Sequence, residues 1–312
     1  MNKTSKRFLP RTLGLLLSLL LLFLLYRQIR AQLDSGIRFE WWPAGAAAYF
    51  FLALALLPVN IGVEAWKWRS LVTTATPISF RAAFRSVLAG IAASVITPNR
   101  IGEYPGRILA LKQHRSTRLI SVSVLGACSQ LLALMIAGVA GLLYWRSFHQ
   151  GSLETLVLLG AILLMLLNAV FYFAFERWAP RIERIRAFRR IRMLARLLHR
   201  FTPREQCAIL GISLLRFSIY TFQYWLLLRW QGIPLTLAGG FLLCALFFWA
   251  MAIIPTIALA EIGIRGTVSV YLFGALSGNI AGITLAVFVL WCINLVIPAL
   301  AGAAVMLKRS MK

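Results

Sequence analysis

Six apolar runs constrain this chain before anything else: residues 12–30, 44–65, 119–145, 153–175, 207–230 and 279–307. A helix needs about 20 mostly apolar residues to cross a hydrocarbon core roughly 30 Å thick, and each run comes to about that length. No water is present inside a bilayer to satisfy backbone N–H and C=O groups, and a helix satisfies its own. The runs therefore predict an all-α, polytopic membrane protein with about six spanning helices. Composition points to the same solvent. Of the 312 residues 60% are hydrophobic and 13% charged, with a mean hydropathy of +0.80, whereas soluble domains carry about 25% charged residues.

The formal net charge of +24 raises nucleic acid as a partner, and the placement of the charges argues against it. Ten of the 33 Lys and Arg residues fall within 177–204, and most of the others flank apolar runs. Lys and Arg collect in this way in the cytoplasmic loops of membrane proteins. Aromatic residues do not interleave with these arginines as in an RNA- or DNA-binding motif, so no nucleic-acid partner is expected. Cys128, Cys207, Cys244 and Cys292 stand singly, without CxxC spacing, and His114, His149 and His199 are scattered. Neither a metal nor a cofactor is expected from such a set. The N-terminus has the basic head and apolar run of a signal peptide, but the run ends in Tyr26-Arg27-Gln28 rather than in small residues suited to cleavage. Residues 1–30 are read as an uncleaved signal-anchor helix.

Between the second and third runs lies RAAFRSVLAGIAASVITPNRIGEYPGR, whose apolar part covers only Ser86 to Ile96. At 1.5 Å per residue that part reaches about half way through a core of roughly 30 Å. Basic residues stand on both sides: Lys67, Arg69, Arg81 and Arg85 before it, Lys112, Arg115 and Arg118 after it. With both flanks on the cytoplasmic side, residues 86–106 form a re-entrant helical hairpin with a broken tip at membrane depth. Irregular backbone survives there only when buried in protein or lining a watery cavity. A second interrupted segment, 239–278, runs into Pro255, with Glu261 six residues later. Both tips carry the spacing Glu-x-x-x-Arg, Glu103 to Arg107 and Glu261 to Arg265.

With the N-terminus inside, the clusters at 3–11, 67–85, 107–118, 177–204 and 308–312 are all cytoplasmic and hold 25 of the 33 basic residues. Both termini are then expected in the cytoplasm of a cell whose plasma (inner) membrane holds the protein. The first hairpin enters from the cytoplasm and the second from outside. Residues 44–145 and 207–307 are thus expected to be inverted repeats within one integral-membrane domain, 1–312. Interrupted segments at matching places in two halves point to a transporter's binding site.

A charged side chain at membrane depth costs roughly 2.5–3.5 kcal/mol even on lenient scales, so the charges at the tips require a purpose. At the first tip Pro105 suits the opening turn of a helix, expected over 105–114, whose free N–H groups face the membrane interior. Asn99, Arg100, Glu103 and Arg107 there, with Glu261 and Arg265 at the second tip, form the expected substrate-binding set. Arginines and a helix N-terminus together grip phosphate. The alternative is that each Glu only neutralises its neighbouring Arg, which leaves Arg100 unaccounted for. Glu64 is expected to pair with Lys67 or Arg69 at the interface, beside Trp66 and Trp68 as anchors. Asn60, Gln130, Asn168, Gln223 and Asn294 read as interhelical hydrogen-bonding residues. Residues 177–205 read as a basic amphipathic segment lying on the anionic membrane surface. No Ser-His-Asp set, phosphate-binding loop or metal-ligand spacing is present, so the chain is not expected to be an enzyme.

TPNRIGEYPGR followed by a basic stretch, NIGVEAWKWRSL upstream and the late Pro-x5-Glu-x-Gly tip together resemble the flippase-like transmembrane region of lysylphosphatidylglycerol synthases. The resemblance covers nearly the whole chain, in the form of a stand-alone member without the aminoacyltransferase domain. It implies movement of a phospholipid, or another phosphate-bearing lipid, between leaflets. It does not imply aminoacyl transfer. TIALAEIGIRG departs from the family's Gly-rich form before its Glu. A membrane-embedded transferase using Glu103 or Glu261 as a base, and a partner subunit recruiting a cytosolic enzyme, are the competing readings. The topology is directly testable: single cysteines placed near Arg85 and near Arg115 are expected to be labelled only from the cytoplasmic side. Labelling from opposite sides would replace the hairpin by a full span.

Overall fold

The computed structural model describes residues 27, 30, 42–43, 45–74, 76–95, 97, 102–111, 116–184, 201–254 and 260–310. Apart from Arg27 and Arg30, the expected signal-anchor helix lies outside the described residues. Among those residues all regular structure is helical. The helices are α1 (Ala47–Thr73), α2 (Phe80–Val95), α3 (Glu103–Ala110), α4 (Ser116–Arg146), α5 (Ser152–Arg184), α6 (Pro203–Trp230), α7 (Leu237–Ile253), α8 (Ala260–Phe273), α9 (Ile280–Trp291) and α10 (Ile297–Ser310). A π-helical turn, Cys292–Val296, joins α9 to α10.

Four helical stretches are long and apolar enough to cross a membrane: Ala47–Thr73, Val122–Arg146, Ser152–Ala174 and Ile280–Leu307. They coincide with four of the six apolar runs. A fifth run falls in α6, which at 28 residues has the length but not the hydropathy. Polar side chains lower it: Arg216 within the run, and Gln206, Ser213, Thr221 and Gln223, the last four buried against protein. The helix is central, and its polar face never meets lipid. α5 is its opposite, with Leu153, Leu156, Leu159, Leu163 and Leu167 all exposed, as a lipid-facing helix requires.

α1 and α6 pack antiparallel along their length. At one end Gln223 Nε2 donates to the Ala53 carbonyl at 2.8 Å, one residue from the carbonyl that Pro58 leaves without a helical donor. Nearer the middle of both helices Arg216 pairs with Glu64. Around this pair the order of elements is used twice. α1 is followed by the helix pair α2–α3 and then α4; α6 is followed by α7–α8 and then α9–α10. The packing is exchanged in the same way, with α2 against α10 and α7 against α4. Gly302 and Gly138 make these contacts. Each is the twenty-third residue of its helix, counted from Ile280 and from Ser116. Gly302 lies on the Leu88 carbonyl and Ala92, and Gly138 on the Trp249 side chain.

α2 and α3 lie antiparallel with their backbones nearly touching. A Cβ on Gly106 would come within 2.6 Å of Ala93, and one on Gly90 within 2.5 Å of the Arg107 Cγ. At about 24 Å and 12 Å, neither helix has the length of a span. The expected start of the second arm is corrected. The helix begins at Glu103, not Pro105, and Leu111 is already in a turn. The first N–H groups of a helix have no acceptor within it, so proline is tolerated anywhere in that turn. At the two ends of the basic segment, α5 continues without a break through Arg184, and Phe201 is buried beside Pro203, where α6 starts. Thr202 and Glu205 close a capping box there, which fixes 201–205 as a helix start. Residues 185–200 lie outside the description.

The glycine contacts predict opposite outcomes for one substitution. Gly302→Ala is expected to lower stability by about 1–3 kcal/mol, because the methyl meets a backbone carbonyl that cannot yield. Gly160→Ala, at a helical position with open space around it, is expected to raise it by about 0.5–1 kcal/mol. Thermal unfolding of the purified variants checks both.

Candidate functional site

The charged residues of the helical core gather around Glu64. Its carboxylate is 3% exposed and accepts from three cations on three helices. Lys67 Nζ, one turn along α1, lies 2.8 Å from Oε2. Arg107 Nη1 of α3 lies 2.7 Å from Oε1. Arg216 Nη1 of α6 lies 3.2 Å from Oε2. Gln130 of α4 closes the network by accepting from Lys67 at 2.9 Å and from Arg216 at 3.3 Å. Four helices are therefore tied at one point. A lone carboxylate at this depth would be prohibitively costly, and the ring of donors offsets that cost.

Arg107 is held more tightly than a ligand-gripping arginine would be. It is 2% exposed, with Nη1 on Glu64 and Nη2 on Glu103. Its guanidinium lies 5.5 Å from the Trp68 ring and 5.3 Å from the Tyr104 ring, a favourable setting for a desolvated cation. Ser86 supports the arrangement, accepting from Trp68 Nε1 at 3.0 Å and donating to the Arg107 carbonyl at 2.8 Å. Trp68 is thus buried inside the protein and is not the interfacial anchor expected from sequence, whereas Trp66 is half exposed. Arg69 donates to the Ile78 carbonyl and takes no part in the cluster.

Beside the cluster opens a cavity of about 590 Å³, within the range of small-molecule sites. One wall is polar: Asn60, Glu64, Gln130, Arg216, Arg265 and Asn294. The other is aromatic and aliphatic, formed by Phe217, Tyr220, Phe248, Met251, Ile254 and Trp291. The ends of both interrupted segments reach it, α2 through Ser94 and Val95 with Thr97 just beyond, α7 through Ala252 and Ile253 with Ile254. Asn294 sits in the π turn and accepts from Asn60 Nδ2 at 2.8 Å. Here Ile297 N–H reaches back five residues to Cys292, and Pro298 cannot supply the N–H that would continue the α-helical ladder. Such turns are frequent at functional sites.

Two polar contacts across the cavity occupy matching places. Asn60 and Arg216 are each the fourteenth residue of their helices, and Gln130 and Asn294 each the fifteenth, counted from Ser116 and Ile280. Asn60 bonds Asn294; Arg216 bonds Gln130. Asn60, Gln130, Gln223 and Asn294 make the interhelical hydrogen bonds expected of them. Of the expected substrate-binding set, Glu103 and Arg107 form an ion pair in the first arm, and Arg265 lines the cavity, largely buried. Glu261 is the second residue of α8, and its side chain lies outside the description, as do Asn99 and Arg100. Glu64 and Arg216 are the residues that sequence reasoning underrated. The available signal was Arg216 itself, an arginine inside an apolar run, which demands a partner.

Glu64→Gln is expected to destabilise the protein by about 3–5 kcal/mol, since it leaves three cations facing an amide. Glu103→Gln, at a carboxylate 24% exposed, is expected to cost less than half of that. Denaturant or thermal unfolding of both variants in one detergent checks the ranking.

A search among curated proteins finds no match to this chain, and a search among solved structures finds none either. The model of one family does match. It covers residues 11–302 and describes the transmembrane region of lysylphosphatidylglycerol synthase. That span takes in both helix pairs, the Glu64 cluster and the cavity. The chain is an integral membrane protein and belongs to the lysylphosphatidylglycerol synthase transmembrane-region family.

Proposed function

We propose that this protein binds a phosphate-bearing lipid in the cavity between its two halves and moves it between leaflets of the inner membrane. The carrying observation is convergence: charged and amide residues from both halves, and the ends of α2 and α7, open into one space with an apolar wall. A headgroup meets the polar wall and acyl chains the apolar one. The antiparallel packing of α1 on α6, together with the doubled order of elements, supports two inverted repeats. On this reading α2–α3 and α7–α8 are re-entrant hairpins entering from opposite faces, in the manner of transporters whose sites lie at repeat interfaces. Both termini are cytoplasmic, and the arginines of 177–204 rest on anionic headgroups. The role is transport, not catalysis, and no nucleic acid is involved.

The test is leaflet exchange. Protein reconstituted in vesicles is expected to move an isotopically labelled phospholipid between leaflets without changing its mass. Glu103→Gln and Glu261→Gln are each expected to slow the exchange by about tenfold, the equivalent of one charged hydrogen bond. The repeat predicts that the two variants behave alike. A covalently altered lipid product would replace the transporter by a membrane-embedded transferase.

A further inference from the structure

The Glu64 cluster beside the cavity is not electrically balanced among the described residues. The cluster holds two carboxylates, Glu64 and Glu103, against three cations, Lys67, Arg107 and Arg216. Arg265 stands on the same cavity. Among the described residues of the cluster one positive charge remains, in surroundings where an uncompensated charge is costly.

The surplus can be located. Lys67 is 3% exposed, with short bonds to Glu64 and Gln130. Arg107 is 2% exposed, divided between two carboxylates under two rings. Neither lines the cavity. Arg216 does, is 28% exposed, and makes the longest contacts of the network, 3.2 Å to Glu64 and 3.3 Å to Gln130. Its Nε–H has no hydrogen-bond partner among the described residues. An anion entering the cavity can therefore take Arg216 while Lys67 and Arg107 continue to neutralise Glu64.

We infer that Arg216 is the headgroup-binding residue of the cavity and that the lipid it selects carries a net negative headgroup, a phosphate without a compensating ammonium. This rests on the reading that the cavity receives lipid, and it adds the class of lipid. A single negative charge brings the cluster to neutrality. A zwitterionic headgroup leaves the surplus unchanged and places its ammonium beside a cation, with Glu64, the one carboxylate lining the cavity among the described residues, already shared by three donors. The guanidinium fork suits phosphate oxygens, and Phe217 and Tyr220 on the same helix meet the glycerol and first methylenes.

The experiment is native mass spectrometry of the full chain released from bilayers of equal phosphatidylglycerol and phosphatidylethanolamine with matched acyl chains. The wild type is expected to retain phosphatidylglycerol about tenfold over its zwitterionic competitor. Arg216→Gln is expected to bring the ratio within about twofold of the bilayer composition, and Arg216→Lys to keep an intermediate preference. Arg146→Gln, which removes an exposed cation at the end of α4 away from the cavity, is expected to keep the wild-type ratio. Should Arg216→Gln not be recovered folded, the wild type's unfolding temperature must rise with added phosphatidylglycerol and not with phosphatidylethanolamine. Wild-type preference persisting in Arg216→Gln, or no preference in the wild type, overturns the inference. If the wild type retains both lipids equally and still exchanges lipid between leaflets, only the headgroup assignment fails. If it retains no lipid, the transport reading fails with it.

Discussion

One carboxylate organises this protein. Glu64 receives Lys67 from its own helix, Arg107 from α3 and Arg216 from α6, and Gln130 of α4 bridges two of those donors. Hydrophobic burial gives little preference for one helix arrangement over another in a bilayer, because lipid tails are as apolar as leucine. Directional polar contacts and close backbone packing have to supply the specificity. The cluster does the first, and Gly90, Gly106, Gly138 and Gly302 do the second. The short α3, only eight residues long, depends on this most. Its single arginine is its main polar tie to the rest of the molecule.

The two halves share a plan and differ in chemistry. Where α1 presents Asn60 to Asn294, α6 presents Arg216 to Gln130 at the equivalent place. One contact is a neutral amide pair and the other is ionic. The lining therefore differs at these two equivalent places, although the order of elements is the same in both halves. A repeated order of elements with an unlike lining makes one end of the cavity chemically different from the other.

What the sequence disclosed and concealed follows from distance along the chain. Apolar runs of spanning length are local, and four of them are helices able to cross a membrane. The breaks at Pro98 to Gly106 and at Pro255 are local too, and helices do stop before each. The partner of Arg107 is not local. Glu103, four residues away, was legible from spacing, but Glu64 lies 43 residues upstream, in a stretch whose Lys67 and Arg69 imitate a membrane interface. The same mimicry misassigned Trp68. α6 concealed its depth differently: its buried polar face lowers its hydropathy, which an average over the run cannot separate from exposure to water.

α5 stands apart from this construction. It touches the rest mainly through Leu158, Ala161 and Tyr172, whose hydroxyl donates to the Gln206 carbonyl at 2.8 Å; most of its apolar side chains face outward. Its importance is parity. Among the described residues α1–α4 precede it and a similar order of helices follows it, and a single traverse between two such groups lets α6 run antiparallel to α1. Without that traverse α1 and α6 would run the same way, Arg216 would lie far from Glu64, and no shared cavity would form. α5 therefore acts on the cavity through the length of chain it puts between α4 and α6, while its exposed leucines take little part in the packing.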